Sequence, residues 1–238
     1  FHYYLCRQLK GGGMEIFMKD LSLTQKFFIC TVNEKGNFSS YDQVPVACLI
    51  AAGVLEMYMG KCITIERKRL SIAEKLPESM RYLKSLYDMI EQETANRGKP
   101  VKAEKIVEKY TGAFTDKKLR ELTDSLVQSM DEDTRSLEKM GKGKYRPKRE
   151  LLFDVADNLR TELLRNDLPS KDAIVFADLL DRAGHLKEYL SKYEMKELKK
   201  RLHEIRKNKE ESAVKKTIRQ IDELVDTLVS AGSVFSDV

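Results

Sequence analysis

The stretch VPVACLIAAGVLEMYM, residues 44–59, carries one charge, Glu56, and the small residues Ala47, Ala51, Ala52 and Gly53. It is too long for an ordinary strand and too apolar on every side for a surface helix. It predicts a central buried helix, with Pro45 tolerated in the first turn. Such a helix needs other helices around it, and the rest of the chain supplies them. Met80, Leu83, Leu86, Tyr87 and Ile90 recur at three and four residues. The same spacing joins Leu119, Leu122, Leu126 and Met130, then Leu152, Val155, Leu159 and Leu163, and finally Val214, Ile218, Ile221, Val225 and Leu228. Residues 196–209 are rich in Lys and Arg, with Leu198, Leu202 and Ile205 on one face.

Start and stop signals sit between these stripes. Thr115-Asp116 and Pro169-Ser170 open helices, and Asn96 to Pro100 is a loop. Leu21 to Val32 suits a helix capped by Thr24, or a strand. Asn33 to Ser40 is turn chemistry. Cys62 to Ile65 and Arg69 to Ile72 alternate at period two around Glu66-Arg67-Lys68, a small β-hairpin exposed on one side. The fold class is mainly α: a single helical domain with one or two small β-hairpins.

Composition agrees. The 238 residues suffice for one sizeable core, and no internal repeat divides them. Gly at 12 and Pro at 5 are too few for an all-β chain of many tight turns. Charged residues at 34% imply solvated helix faces. No apolar run reaches the roughly 18 residues of a transmembrane helix. Cys6, Cys30, Cys48 and Cys62 show no C-x-x-C spacing, which disfavours a zinc ribbon or a disulfide scaffold. Cys30, Cys48 and Cys62 lie in apolar runs and read as core. The composition is that of a mildly basic, cytoplasmic, α-rich protein.

Residues 1–13 show no helical or strand period, and Lys10-Gly-Gly-Gly13 runs directly into Met14. Lys-Gly-Gly back-translates to a purine-rich stretch of the kind that pairs with bacterial ribosomes before a start codon. The expectation is a bacterial chain whose translation starts at Met14, with 1–13 a misread leader, or else an expression scar or disordered tail, outside the fold, a domain over 14–229 and a flexible tail over 230–238. Without Arg7 and Lys10 the net charge falls from +5 to +3, so the basicity is local.

The strongest local signal is GKGKYRPKR, residues 141–149. Lys142, Lys144, Arg146, Lys148 and Arg149 surround Tyr145, and Gly and Pro keep the segment out of a helix. Cations beside an aromatic meet phosphates while the ring sits at a headgroup boundary or stacks on a base. The plain alternative is a solvated loop between two helices. Nucleic-acid binding is the weaker reading, because Glu66 sits beside Arg67 and Lys68 at the hairpin tip and the helix before it has no cation. For catalysis, Asp178 and Asp181 share a helix near His185, but no carboxylate-plus-His helix pairs with them, and an Asp–Arg pair with Arg182 is the simpler reading. No phosphate loop, nucleophile elbow or H-E-x-x-H motif is present. No cofactor is expected.

Several segments together resemble a known family. These are Leu21-Ser-Leu-Thr before an apolar run, then Glu34-Lys-Gly36-Asn-Phe, and the uncharged helix through Gly53-Val-Leu-Glu56-Met. Gly60-Lys-Cys-Ile-Thr-Ile, the return Arg69-Leu-Ser-Ile72, residues 174–186 and Lys199 to Ile205 follow in order. Over Met14 to Val229 the chain is similar to the Golgi phosphoprotein 3 family. The resemblance implies a helical, peripheral membrane protein without enzymatic activity, whose eukaryotic relatives bind phosphatidylinositol 4-phosphate and retain glycosyltransferases in the Golgi. It places the family's headgroup Trp on Tyr41, its first Arg on Ile50, and its later Arg pair on Arg120 and Thr123. It also places a membrane-touching hairpin near 137–150, where this chain has its basic segment. The expected partners are anionic or phosphorylated lipid headgroups at a membrane surface, held by Tyr41, Arg120, Lys142, Lys144, Tyr145, Arg146, Lys148 and Arg149, with weakened headgroup specificity. A protein-interaction scaffold using the 141–149 loop, with self-association, is the alternative.

Overall fold

The computed structural model describes residues 21–36, 38, 42–111, 116–134, 137–141, 144–164, 169–207, 223 and 225–230. The expected leader over 1–13, Tyr41, Thr115, Lys142, the stripe Val214, Ile218 and Ile221, and the tail beyond Ser230 lie outside the described residues.

Helix α1 (Leu23–Thr31) settles the open choice at the start. Its cap is Ser22, not Thr24: Gln25 N donates to Ser22 Oγ at 3.3 Å, and Ser22 N donates to Gln25 Oε1 at 3.0 Å. Thr24 is two positions past the cap, inside the first turn. It serves instead as donor to Glu56, through its N–H at 2.9 Å and its hydroxyl at 2.6 Å. Helix α2 (Gln43–Met59) is the predicted central helix, buried continuously from Pro45 to Met57. Glu56 is its only charge, and it lies at the first turn of α1, where the amide ends and the positive end of the helix dipole favour a carboxylate. Tyr82 donates its hydroxyl to the same carboxylate. One buried anion thus ties three segments of chain together.

Strands β1 (Ile63–Glu66) and β2 (Arg69–Ile72) form the expected antiparallel hairpin. Arg67 and Lys68 turn it, both at positive φ, the geometry that matches strand twist in a two-residue turn. The sequence pattern does not reveal β3 (Val101–Lys102), which pairs with β2 as a third strand. The stripe beginning at Met80 is not one helix. A 3-10 turn over Glu78–Leu83 precedes α3 (Lys84–Arg97), with a kink at Met80. Helices α4 (Ala103–Thr111) and α5 (Asp116–Thr134) follow.

After α5 the chain forms β4 (Leu137–Gly141) and β5 (Lys144–Pro147), an antiparallel pair with a bulge between Lys139 and Gly141. Composition alone leaves this segment irregular; the resemblance puts a hairpin there, and the structure has one. Helix α6 (Arg149–Leu164) buries Leu151, Val155, Leu159 and Leu163, so the stripe starts at Leu151 while Leu152 is only half-buried. Helices α7 (Lys171–Arg182), α8 (Leu186–Tyr189) and α9 (Lys192–Lys207) complete the set, with Ser170 capping α7 and Leu198 buried. Residues 225–230 are helical and bury Val225 and Leu228. α2 touches α1, α3, α4, α7 and β1, which is what its uniform apolarity requires. Cys30, Cys48 and Cys62 are buried free thiols, as expected. No helix among the described residues is long and apolar enough to cross a membrane.

Candidate functional site

The β4–β5 hairpin has two unlike faces. Leu137 pairs with Pro147 and Lys139 with Tyr145; Leu137 and Pro147 are buried, and Tyr145 packs against the core. Glu138 pairs with Arg146 on the other face, where the guanidinium donates to Glu138 Oε2 at 2.6 Å. That bond holds the Glu138 carboxyl below its ordinary range. Lys139, Lys144, Lys148 and Arg149 are exposed. Two apolar side chains stand among them: Met140 near the tip is 45% exposed, and Phe153 in the second turn of α6 is 71% exposed.

The hairpin is braced by the turn after α1. Lys35 N donates to Asn33 Oδ1 and Gly36 N to Asn33 O, and Gly36 takes φ +70°. A Cβ on Gly36 would lie 2.9 Å from Tyr145 N and 3.0 Å from Tyr145 O. Backbone meets backbone here, so only glycine allows the approach. Phe38 stacks on Phe28 at 5.8 Å between ring centres, which anchors this turn to α1.

The expected site residues therefore divide. Lys144, Arg146, Lys148 and Arg149 sit on one hairpin and the helix start beside it, with Arg146 already occupied by Glu138. Tyr145 belongs to the core-facing side. Arg120 is exposed on the first turns of α5, beside Lys117, Lys118, Glu121 and Asp124. It is 14 residues before Thr134, about 21 Å along the helix axis from the end that leads into the hairpin. Thr123 donates its hydroxyl to Arg120 O at 3.0 Å, and Ile50 is fully buried, so neither presents a group to a phosphate. Tyr41 and Lys142 are outside the described residues. Sequence reading missed Met140 and Phe153. Phe153 was detectable: two positions from Leu151, it points about 200° away from the apolar stripe.

The other clusters are structural. Arg182 bonds Asp178 at 2.7 Å and Asp226 at 2.6 Å, and Asp181 lies 3.8 Å from Lys199, so Asp178 and Asp181 are ion-paired. No group of metal-ligating side chains occurs among the described residues. A polar groove of 740 Å³ lies over Glu56 and Tyr82, rimmed by Arg81, Lys84, Asp88 and Glu121. Four of its charges are paired locally: Arg81 with Glu78 in the 3-10 turn and Lys84 with Asp88 in α3.

The sequence profile described as Golgi phosphoprotein 3 (GPP34) aligns with residues 23–221. The chain belongs to the Golgi phosphoprotein 3 (GPP34) family. The match spans α1 through α9 and so includes the basic hairpin and its brace at Gly36. No curated protein matches the chain.

Proposed function

We propose that this Golgi phosphoprotein 3-like protein is a non-enzymatic, peripheral membrane protein of the cytoplasm. It binds anionic lipid surfaces through the β4–β5 hairpin and the first turn of α6. The observation that carries the reading is the hairpin's charge. Over the described part of 137–150, Lys139, Lys144, Arg146, Lys148 and Arg149 stand against Glu138 and Glu150, with the four unpaired cations exposed. At ~1 kcal/mol per net cation near an anionic bilayer, the net +3 is worth about two decades in affinity over a neutral one.

The same reading makes recognition general rather than headgroup-specific. A bidentate arginine contributes about 1.5–3 kcal/mol to a phosphate contact. Two of the family's positions for one are Ile50 in the core and Thr123 bonded to its own helix. Arg120 remains as a distant auxiliary contact, and Tyr41 as its aromatic partner by resemblance.

Vesicle flotation tests this. Phosphatidylcholine vesicles, alone and doped with phosphatidylserine or phosphatidylinositol 4-phosphate, are compared in low salt and in about 1 M salt, where the Debye length is ~3 Å. The expected result is retention by both doped vesicles in proportion to charge, falling at least tenfold at high salt. Absence of flotation, together with tight duplex DNA binding or capture by an acidic protein, overturns it.

A further inference from the structure

Helices α6 and α9 carry opposite charge on their outer faces, and each face holds an exposed ring. On α6, Glu150, Phe153, Asp154 and Asp157 are spaced at three, four and seven residues and share one face. All four are exposed, and Arg149 at the N-terminal edge is the base set against these three acids. On α9, Lys192, Lys196 and Lys200 recur at four residues, and Tyr193 stands three and seven residues before the last two. These are exposed as well, with Lys199 at the flank and Glu204 the acid among them. Glu150, Asp154, Lys192, Lys196 and Lys200 enter no ion pair among the described residues, and Asp157 lies 3.6 Å from Arg160 while staying 74% exposed. Phe153 at 71% and Tyr193 at 73% are the most exposed large hydrophobic side chains among the described residues. The acids around Phe153 repel an anionic bilayer, so this face calls for a basic partner.

We propose that two copies of this chain pair through these faces, the acidic face of α6 on each meeting the basic face of α9 on the other. α6 does not meet its own α9 in this way. The two helices already pack through their flanks, where Arg160 Nε lies 2.7 Å from Glu194 and Arg201 donates to Leu163 O at 2.6 Å. Their outer faces are therefore neighbours on one surface. A two-fold axis between them sets each acidic face on the partner copy's basic face, so both contacts form at once and the assembly closes at two. Lysine stems cover the Phe153 ring while their ammonium groups reach the acids beside it. Helices of 16 residues are about 24 Å long and about 10 Å wide, so the two faces cover on the order of 500 Å² per copy. The total of about 1,000 Å² is where a specific interface begins, which makes this a weak, salt-sensitive dimer. The pairing does not depend on the lipid-surface reading.

Sedimentation velocity over about 10 to 500 μM protein in low salt tests this. The parent is expected to move from monomer toward dimer across that range, and to return to monomer in about 1 M salt, where the Debye length is ~3 Å. Asp154→Lys with Asp157→Lys makes both faces basic, and Lys196→Glu with Lys200→Glu makes both acidic. Each variant alone is expected to associate at least about tenfold more weakly than the parent. An equimolar mixture of the two is expected to regain the parent's association, because both contacts are then opposite in charge. Recovery on mixing also shows that both variants are folded. The β4–β5 hairpin is untouched in either, so vesicle flotation reports on the lipid reading separately. A parent that stays monomeric at the highest concentration overturns the proposal. So does association that persists at high salt, a single variant that pairs like the parent, or a mixture no stronger than its parts. Species that grow beyond two copies overturn the two-fold arrangement.

Discussion

Replacing Glu56 is the sharpest test of how this fold is held together. The carboxylate is 6% exposed and accepts from Thr24 N, Thr24 Oγ and the Tyr82 hydroxyl. Glu56→Ala orphans these three buried donors and opens a cavity between α1, α2 and the 3-10 turn. A buried donor left unsatisfied costs about 1–3 kcal/mol, but the adjacent groove admits water to part of the site, so the sum is expected near 3–5 kcal/mol. Glu56→Gln keeps the shape. Its carbonyl serves Thr24, and its amide donates to Tyr82, which then accepts; only the charge at the α1 terminus is lost, about 1–2 kcal/mol. Tyr82→Phe removes one donor from a charged acceptor and is expected to cost about 1.5–3 kcal/mol. Urea unfolding at neutral pH, followed by far-ultraviolet circular dichroism, gives all three values. In a double-mutant cycle, Glu56→Ala and Tyr82→Phe are expected to couple by at least about 1 kcal/mol. A Glu56→Ala loss below about 1 kcal/mol, or additivity with Tyr82→Phe, refutes the tethering role.

Further predictions concern the surface, its brace and the thiols. The double reversal Lys148→Glu, Arg149→Glu changes the local charge by four and is expected to lower affinity for anionic vesicles by about three decades, whereas Glu138→Ala with Arg146→Ala leaves net charge unchanged and is expected to shift flotation little. Gly36→Ala forces a Cβ onto the Tyr145 backbone, while Gly98→Ala, at a similar φ, meets nothing within 4 Å. Both carry left-handed strain of about 1 kcal/mol, so the excess fall in melting temperature for Gly36→Ala, expected at roughly 2–4 °C or more, reports the hairpin contact. Burial pushes the Cys30 and Cys48 thiols up to about 12, so peptides containing them are expected to stay unlabelled by iodoacetamide at neutral pH until denaturant is added.

What the sequence made legible follows from how local each cause is. α2 was readable because sixteen nearly uncharged residues admit one solution, a buried helix. The β1–β2 hairpin was readable from its period. The identity of the α1 cap was not, because Ser22 and Thr24 are equivalent by type; the choice is made by Glu56, 32 residues away. β3 has two residues and no pattern of its own, and only its pairing with β2 makes it a strand. The basic hairpin has no clean alternation, since Lys139 and Tyr145 share its inner face; its position depends on Gly36, brought to it by the fold. Of the candidate site, the cations were visible as composition. Their separation from Arg120 by most of α5 was not, because a resemblance assigns positions one by one and says nothing of the distance between them.

Hydrogen–deuterium exchange of the intact protein, with and without phosphatidylserine vesicles, asks the molecule directly which surface meets lipid. The account predicts slowed exchange in peptides spanning 137–153, with the start of α5 around Arg120 and the groove over Glu56 changed little. Protection concentrated at residues 116–123, with the hairpin exchanging as it does in free solution, contradicts it.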